Sequence, residues 1–314
     1  MKLGSGKFTY TPVEGWEKRP ADMMWREVAG VAVDPKDNVY LFTRDPGAVV
    51  VCDRDGNVKS SWGQGTFVNP HGLTIGLEGD TLFCIDNGDH TVRKCTLDGK
   101  VLLTIGTPGK TSPLHSGKPF NKCTHVALDP GSGDIYVSDG YGNSAVHKYA
   151  PDGRYLFSWG APGTDPGEFN LPHNIVTDKD GYVYVADREN HRIQVFDSKG
   201  KFQDQWVNMH RPCAIYMSKD GYLFNGELGF GMNVNRETPN LGPRISIFDT
   251  KGKRQARLED KGSGMDGRQF VAPHGMAVDS RGDLYVAEVA NTWMKHFQEP
   301  PPTVRSVQKF IKTG

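Results

Sequence analysis

Three Pro-His pairs are the residues in this 314-residue sequence whose type and spacing could do chemistry. The pairs are Pro70-His71, Pro172-His173 and Pro273-His274. Each pair opens a short apolar run, and successive histidines are 102 and 101 residues apart. Three imidazole nitrogens around one metal ion, with a fourth position open, are typical of a catalytic zinc site. The near-equal spacing indicates that a repeated structure brings the three rings together.

The sequence contains a repeat of four short strands. An alternating apolar-polar run, a D-G or K-G turn and a second alternating run recur at five places. These segments begin at Ala48, Thr91, Ala145, Arg192 and Arg244. The glycine supplies the positive φ that a tight hairpin turn requires. In each repeat, a pair of more apolar strands precedes this segment. Four strands in about 40–50 residues match one blade of a β-propeller.

Six repeats predict an all-β, six-bladed propeller that occupies residues 1–314 as a single domain. Alignment on the turn glycine gives six equivalent positions, which are Ala29, His71, Thr124, His173, Cys213 and His274. The last repeat has only SVQKFIKTG after its second strand. We therefore expect the N-terminal segment KFTYTPVEGW to supply the outer strand of that blade and close the ring.

The propeller geometry predicts where the three histidines lie. The first strand of each blade lines the central channel, so its opening residue lies at the channel mouth. His71, His173 and His274 belong to blades two, four and six, and an approximate three-fold rotation relates them. One Pro-His-Gly alone would indicate only a turn, but three on alternate blades predict a metal site. Zinc fits it, as does another divalent transition metal.

Three further residues have the types needed near such a site. Arg44 stands at the end of a second strand, where the third and fourth repeats have Asp139 and Asp187. Arg188 and Tyr141 follow corresponding strands in ADREN and DGYGNS. Two arginines can bind a carboxylate, and a tyrosine beside them can act as a general base. Each residue could equally be a structural contact between blades.

Composition excludes some classes of partner. Lys+Arg and Asp+Glu both number 37, which argues against nucleic acid, and no apolar run reaches membrane length. Five cysteines without a CxxC pair indicate free thiols in a reducing compartment. We expect a cytoplasmic protein with a small-molecule substrate; the oligomeric state stays open.

The segment GTDPGEFNLPHNIVTDKDGYVYVADRENHRIQVF resembles NHL repeats. Together with the Pro-His pairs, LFTRD and DGYGNS, it makes the chain similar to the peptidyl-α-hydroxyglycine α-amidating lyase family. The resemblance implies a propeller that splits a peptidyl-hydroxyglycine into a peptide amide and glyoxylate. It implies zinc on His71, His173 and His274, a catalytic Tyr141, and substrate binding by the catalytic-site residues Arg44 and Arg188.

The resemblance also implies a structural calcium ion on backbone oxygens of Val31 and Leu73. Here Gly275 replaces the family's aspartate after the third histidine, and two neutral carbonyls hold Ca²⁺ poorly. Ala272 and Gly142 also depart from the family, which has a methionine and a disulfide-bonded cysteine there.

The sequence favours a metal-dependent lyase that cleaves the C–N bond of a small, carboxylate-bearing carbinolamide. A metal-dependent hydrolase of an amide, ester or lactone, using metal-bound hydroxide at the same histidines, is an alternative. A non-catalytic NHL propeller that serves as a binding scaffold is another.

Overall fold

The computed structural model describes residues 2–235, 238–259, 262–296, 299–301 and 303–314. The described strands form six antiparallel sheets. The first strands of the six sheets contact one another in sequence order and form a closed circle. The chain is therefore the predicted all-β, six-bladed propeller. The single-domain extent of 1–314 stays a prediction, since residues 1, 236–237, 260–261, 297–298 and 302 lie outside the described residues.

Blades one to three each comprise four strands in up-and-down order. Blade one consists of β3 Glu27–Val33, β4 Val39–Arg44, β5 Ala48–Cys52 and β6 Val58–Trp62. Blade two consists of β7 Pro70–Ile75, β8 Thr81–Asp86, β9 Thr91–Thr96 and β10 Val101–Ile105. Blade three consists of β11 Cys123–Leu128, β12 Ile135–Asp139, β13 Ala145–Tyr149 and β14 Tyr155–Trp159.

Blades four and five repeat this order, and the short helices lie in loops of blades four to six. Blade four consists of β15 Pro172–Thr177, β16 Val183–Asp187, β17 Arg192–Phe196 and β18 Phe202–Trp206. Blade five consists of β19 Pro212–Met217, β20 Tyr222–Glu227, β21 Arg244–Asp249 and β22 Arg254–Leu258. The described helices are two 3₁₀ turns, Arg188–Asn190 and Asn233–Asn235, and the α-helix α1, Ala290–Met294.

Blade six joins the two ends of the chain, as the sequence predicts. Its inner strands are β23 Pro273–Val278, β24 Leu284–Glu288 and β25 Val307–Lys312. The N-terminal strand β2, Phe8–Val13, pairs antiparallel with β25, and β1, Leu3–Ser5, adds a fifth strand that the sequence analysis did not predict. Phe8 also packs edge-on against Tyr222 of blade five, so the closure ties blade six to its neighbour.

A repeated contact between blades explains the hairpin glycines and the tryptophans that end outer strands. Gly99 and Gly200 have φ values of +99° and +76°, which side chains rarely adopt. An added Cβ would lie 2.6 Å from the Trp62 ring at Gly99 and 2.7 Å from the Trp159 ring at Gly200. The tryptophan of one blade therefore packs against the hairpin turn of the next.

Apolar side chains fill the space between adjacent sheets and leave a channel at the centre of the ring. The channel contains a cavity of about 800 Å³, whose wall includes the first strands of all six blades. All five cysteines are buried and free. In the described part of the chain, no helix is long and apolar enough to cross a membrane.

Candidate metal centre

Backbone bulges aim the six equivalent residues at the channel mouth. In each first strand the pairing register shifts at this position, for example between Pro172 and Asn174 on either side of His173. The same shift occurs in the first strand of every other blade. A bulge leaves one residue unpaired and re-aims its side chain. In blades two, four and six that residue is a histidine, or a histidine and the following glycine.

The structure brings His71, His173 and His274 together, although they lie far apart in the sequence. Their ring centroids are 4.6–4.8 Å apart, and one ligand atom of each lies within 4.8 Å of the others. All three side chains are buried. Among the described residues, this is the cluster of three or more His, Cys, Asp or Glu side chains that could hold a metal ion.

Backbone carbonyls of the intervening blades fix the orientation of each ring. His71 Nδ1 lies 2.7 Å from the carbonyl oxygen of Thr124, and His173 Nδ1 lies 2.7 Å from that of Cys213. His274 Nδ1 makes the same contact, 2.7 Å long, with the carbonyl oxygen of Ala29. Because a carbonyl can only accept, each Nδ1 must carry the proton, which leaves Nε2 free to bind a metal.

The protonation state of the rings also suits a metal. Burial lowers the pKa of His71 and His173 well below the ordinary 6.5, and nearby cations and histidines lower it further. His274 shows the same shift, caused first by burial and then by the charge of Arg44. The imidazoles are therefore neutral near pH 7, as metal ligands must be. Three neutral Nε2 donors with fixed tautomers fit zinc or another divalent transition metal.

Tyr141 reaches the histidines from the loop that follows β12. Its Oη lies 3.1 Å from His173 Nε2 and 3.4 Å from His71 Nε2. The preceding Gly140 makes this approach possible, because a Cβ there would lie 2.2 Å from the carbonyl oxygen of Pro172. The tyrosine is 38% exposed, so its hydroxyl lies between the buried histidines and the surface of the propeller.

The two predicted arginines belong to blades one and four, which are opposite blades of the six-bladed ring. Arg188 Nη1 is 3.4 Å from Tyr141 Oη, and its guanidinium lies over the tyrosine ring at 5.5 Å. Arg44 donates from Nε to the carbonyl of Pro70, the residue before His71, at 2.8 Å. Arg188 is in contact with the tyrosine, whereas Arg44 adjoins the first histidine. Their roles toward a substrate stay predictions.

Blade one departs from a pattern that the other five blades share, but the departure is at Thr43 and not, as the sequence predicted, at Arg44. In those blades the second strand ends in a buried acid that accepts hydrogen bonds from backbone N–H groups of the preceding loop. The five acids are Asp86, Asp139, Asp187, Glu227 and Glu288. Blade one has Thr43 at this position, because Thr43 pairs with Ala48 as Asp139 pairs with Ala145 and Asp187 with Arg192. The expected alignment of Arg44 with these acids was therefore wrong by one residue, and Arg44 is instead the equivalent of Arg188.

The donors expected for calcium are incomplete. Val31 and Leu73 line the channel next to the histidines, but Gly275 brings no carboxylate there. A Cβ on Gly275 would lie 3.0 Å from Gly30 Cα and 3.1 Å from Val31 N, so the backbones are packed too closely for an aspartate without a shift. The described acids of the channel wall belong to turns at its far end. The residues present do not fit a calcium site of the expected kind.

Two other buried or partly buried histidines, His125 and His147, lie outside the three-histidine cluster. His125 lines the channel and bonds through Nδ1 to the carbonyl of Val126 at 3.1 Å. His147 is fully buried, lies 3.1 Å from Asp139, and is a structural residue. The carbonyl partners of the three clustered histidines were not predicted from the sequence. The sequence indicated these partners only through the repeat, because Ala29, Thr124 and Cys213 occupy the remaining three of the six equivalent positions.

The fold and the site together define an NHL-type propeller with a three-histidine centre. The family model described as NHL repeat matches residues 169–196. NHL repeat-containing protein 3 of Homo sapiens is 31% identical over 301 residues, which cover 90% of this chain and 82% of the relative. The chain therefore belongs to the NHL-repeat family, in which its curated relatives include amidating lyases.

One such lyase is peptidyl-alpha-hydroxyglycine alpha-amidating lyase 1 of Drosophila melanogaster. It is 32% identical over 255 residues, covering 74% of this chain but only 45% of the relative's length. A solved Bacteroides thetaiotaomicron protein of unknown function has a TM-score of 0.65 at 15% identity, covering 99% of this chain and 76% of that one. The structural likeness supports the propeller fold alone.

Proposed function

We propose that this protein is a metal-dependent lyase that cleaves a carbinolamide carrying a carboxylate on the same carbon. In the reaction the hydroxyl of the substrate loses a proton and the carbon–nitrogen bond breaks as a carbonyl group forms. The nitrogen takes up a proton, so an N-acyl-α-hydroxyglycine gives an amide and glyoxylate with no other reactant. The relatives named as amidating lyases and the three-histidine cluster both support this class of reaction.

The position of the Tyr141 hydroxyl is the observation that carries the proposal. It lies within 3.4 Å of two histidine Nε2 atoms and of Arg188 Nη1. As the phenolate, this oxygen can take a proton from a hydroxyl bound beside the histidines and pass it to the leaving nitrogen. The guanidinium of Arg188 can stabilise the negative charge of the phenolate that this role requires.

The remaining residues bind and orient the substrate. His71, His173 and His274 would hold the metal ion, which supplies Lewis-acid chemistry when bound. Arg44 and Arg188 each present a guanidinium near the cluster, and a guanidinium can bind a carboxylate through two parallel hydrogen bonds. We propose that the substrate is a small carboxylate-bearing molecule and that the protein acts in the cytoplasm. We propose no nucleic acid or membrane as its partner.

The direct test is an assay of the metal-loaded protein with an N-acyl-α-hydroxyglycine. Glyoxylate and the primary amide should form in equal amounts. A hydrolase acting through the same histidines would instead cleave simple esters, lactones or amides and release no glyoxylate. A binding scaffold would cleave neither class of compound. Absence of glyoxylate release by protein shown to contain one metal ion per chain would contradict the proposal.

Substitution of Tyr141 by phenylalanine tests the proton transfer. We expect kcat to fall by about 10²-fold or more, because a general base typically contributes 10²–10⁴. Metal content should stay unchanged, since the hydroxyl is not one of the three histidine ligands. Tyr182, which is 41% exposed in a turn at the other end of the channel, provides a matched control. If Tyr141→Phe and Tyr182→Phe turn over equally fast, the assigned role of Tyr141 is wrong.

A further inference from the structure

We propose that the short helix α1 is the common support of both arginines of the site, with Thr292 positioning Arg44 and Trp293 positioning Arg188. The consequence for catalysis rests on the proposed function, because the arginines are taken to bind the substrate carboxylate. The support itself is a property of the fold and can be tested without a substrate.

The first connection runs from α1 to Arg44 through a buried glutamate. Glu27, 2% exposed, accepts from Arg44 Nη1 at 2.9 Å. The same carboxylate accepts from the backbone N–H of Thr292 at 2.8 Å and from its Oγ1 at 2.6 Å. Because Arg44 Nε is bonded to the carbonyl of Pro70, the guanidinium is held at two points. Thr292 thus fixes the carboxylate that fixes the arginine.

The second connection runs from the next residue of α1 to Arg188. Arg188 Nε donates to Glu189 at 2.8 Å, and the same carboxylate accepts from Arg211 at 2.7 and 3.0 Å. The guanidinium of Arg211 lies over the Trp293 ring at 5.2 Å and donates to the carbonyl of Phe230 at 3.2 Å. Trp293 thus supports a pair of arginines that share one glutamate.

Two adjacent residues of one helix are therefore connected to arginines of blades one and four. Burial alone would raise the pKa of Glu189, but Arg211 and Arg188 lower it to about 2, so the carboxylate is ionised near pH 7. Arg44 with Glu27 is neutral as a pair, whereas Arg188, Glu189 and Arg211 carry one net positive charge. This balance suits a substrate with a single carboxylate group. The connections also fix the separation of the two guanidiniums, which sets where that carboxylate can lie.

The support predicts selective loss of order when α1 is altered. In ¹⁵N-labelled, metal-loaded protein, the Nε–H signals of Arg44 and Arg188 can be assigned by their loss in Arg44→Lys and Arg188→Lys. We expect Thr292→Val to speed solvent exchange of the Arg44 Nε–H by about tenfold and to leave that of Arg188 unchanged. Trp293→Leu should have the reverse selectivity, and Thr292→Ser should restore the wild-type rate. Unchanged exchange in both variants, or equal acceleration of both signals in each variant, would overturn the proposal.

Kinetics then connect the support to function. With an N-acyl-α-hydroxyglycine, Thr292→Val should raise KM about tenfold and change kcat by less than about threefold. The effect of Thr292→Val on KM should be non-additive with that of Glu27→Gln, because Thr292 acts on Arg44 through Glu27. It should be additive with that of Glu189→Gln, because Glu189 contacts Arg188 instead. Thr177→Val is the matched control, since Thr177 Oγ1 donates to the carbonyl of Leu128 at 2.7 Å in another part of the channel wall.

The two experiments separate failure of this inference from failure of the proposed function. Selective exchange in a protein that releases no glyoxylate would support the role of α1 and contradict the lyase. Glyoxylate release with KM values and exchange rates unaffected by Thr292→Val and Trp293→Leu would support the lyase and contradict the role of α1.

Discussion

At the scale of single residues, the site depends on which nitrogen of each histidine carries the proton. The carbonyls of Thr124, Cys213 and Ala29 accept from the three Nδ1 atoms, and each carbonyl belongs to the blade next to that of its histidine. Both members of each pair occupy equivalent ring positions on consecutive blades. The rotational repeat therefore supplies the three clustered histidines and the groups that orient them.

His125, which is not one of the three clustered histidines, allows a test of burial in the channel. Burial lowers its pKa from the ordinary 6.5 to about 4. Between these values the unfolded chain binds a proton that the folded protein does not, so stability falls as the pH falls from about 6.5 to 4. His125 lines the channel and is not fully buried. We therefore expect its titration to lower the free energy of unfolding by about 1–2 kcal/mol between pH 7 and pH 5.

The measurement is the free energy of unfolding in urea at both pH values. The loss between pH 7 and pH 5 should be smaller in His125→Gln than in the wild type by that amount. His115, which is exposed, provides the control variant His115→Gln, and its loss should equal that of the wild type. A His125→Gln protein with the wild-type pH dependence would show that the imidazole titrates normally in the folded state.

At the scale of strands and turns, the contact between a tryptophan and the next hairpin holds neighbouring blades together. Gly200 has a positive φ and lies against the Trp159 ring, whereas Gly181 has a similar φ of +81° and no heavy atom within 4 Å of an added Cβ. Substitutions at the two glycines therefore distinguish two destabilising effects: the strain of a side chain at positive φ, which both share, and the overlap with the Trp159 ring, which only Gly200 has.

Alanine substitutions at the two glycines should differ in cost. Gly181→Ala should destabilise by about 1–2 kcal/mol, the penalty of a left-handed residue. Gly200→Ala should cost about 1–3 kcal/mol more than that, because its methyl group would overlap the Trp159 ring. Urea unfolding of both variants measures the difference. Equal destabilisation would mean that the tryptophan moves aside freely and that this contact does not hold the blades together.

At the scale of the whole molecule, the repeat is what made much of the structure predictable. Equivalent positions of a six-fold repeat must lie on one ring, so the spacing of His71, His173 and His274 was enough to predict that they meet. The unpaired last repeat was likewise enough to predict that β2 closes blade six against β25.

Features outside the repeat could not be predicted in this way. Helix α1 lies in a loop of blade six, and its contact with Glu27 joins residues 265 positions apart. Nothing in the repeat specifies such a contact, because Thr292, Trp293 and Glu27 have no equivalents with the same function in other blades. The extra strand β1 was missed for the same reason. The proposed support of the arginines is thus a product of the individual loops, whereas the histidine cluster is a product of the repeat.

The most direct test of the account is the metal content and coordination of the purified protein. After loading with zinc and removal of excess metal, elemental analysis should find one ion per chain, and X-ray absorption should find three nitrogen donors at about 2.0–2.1 Å. His173→Ala, folded by circular dichroism, should retain far less than one ion. Wild-type protein that holds no metal after loading, or a His173→Ala variant that holds as much as the wild type, would contradict the central claim.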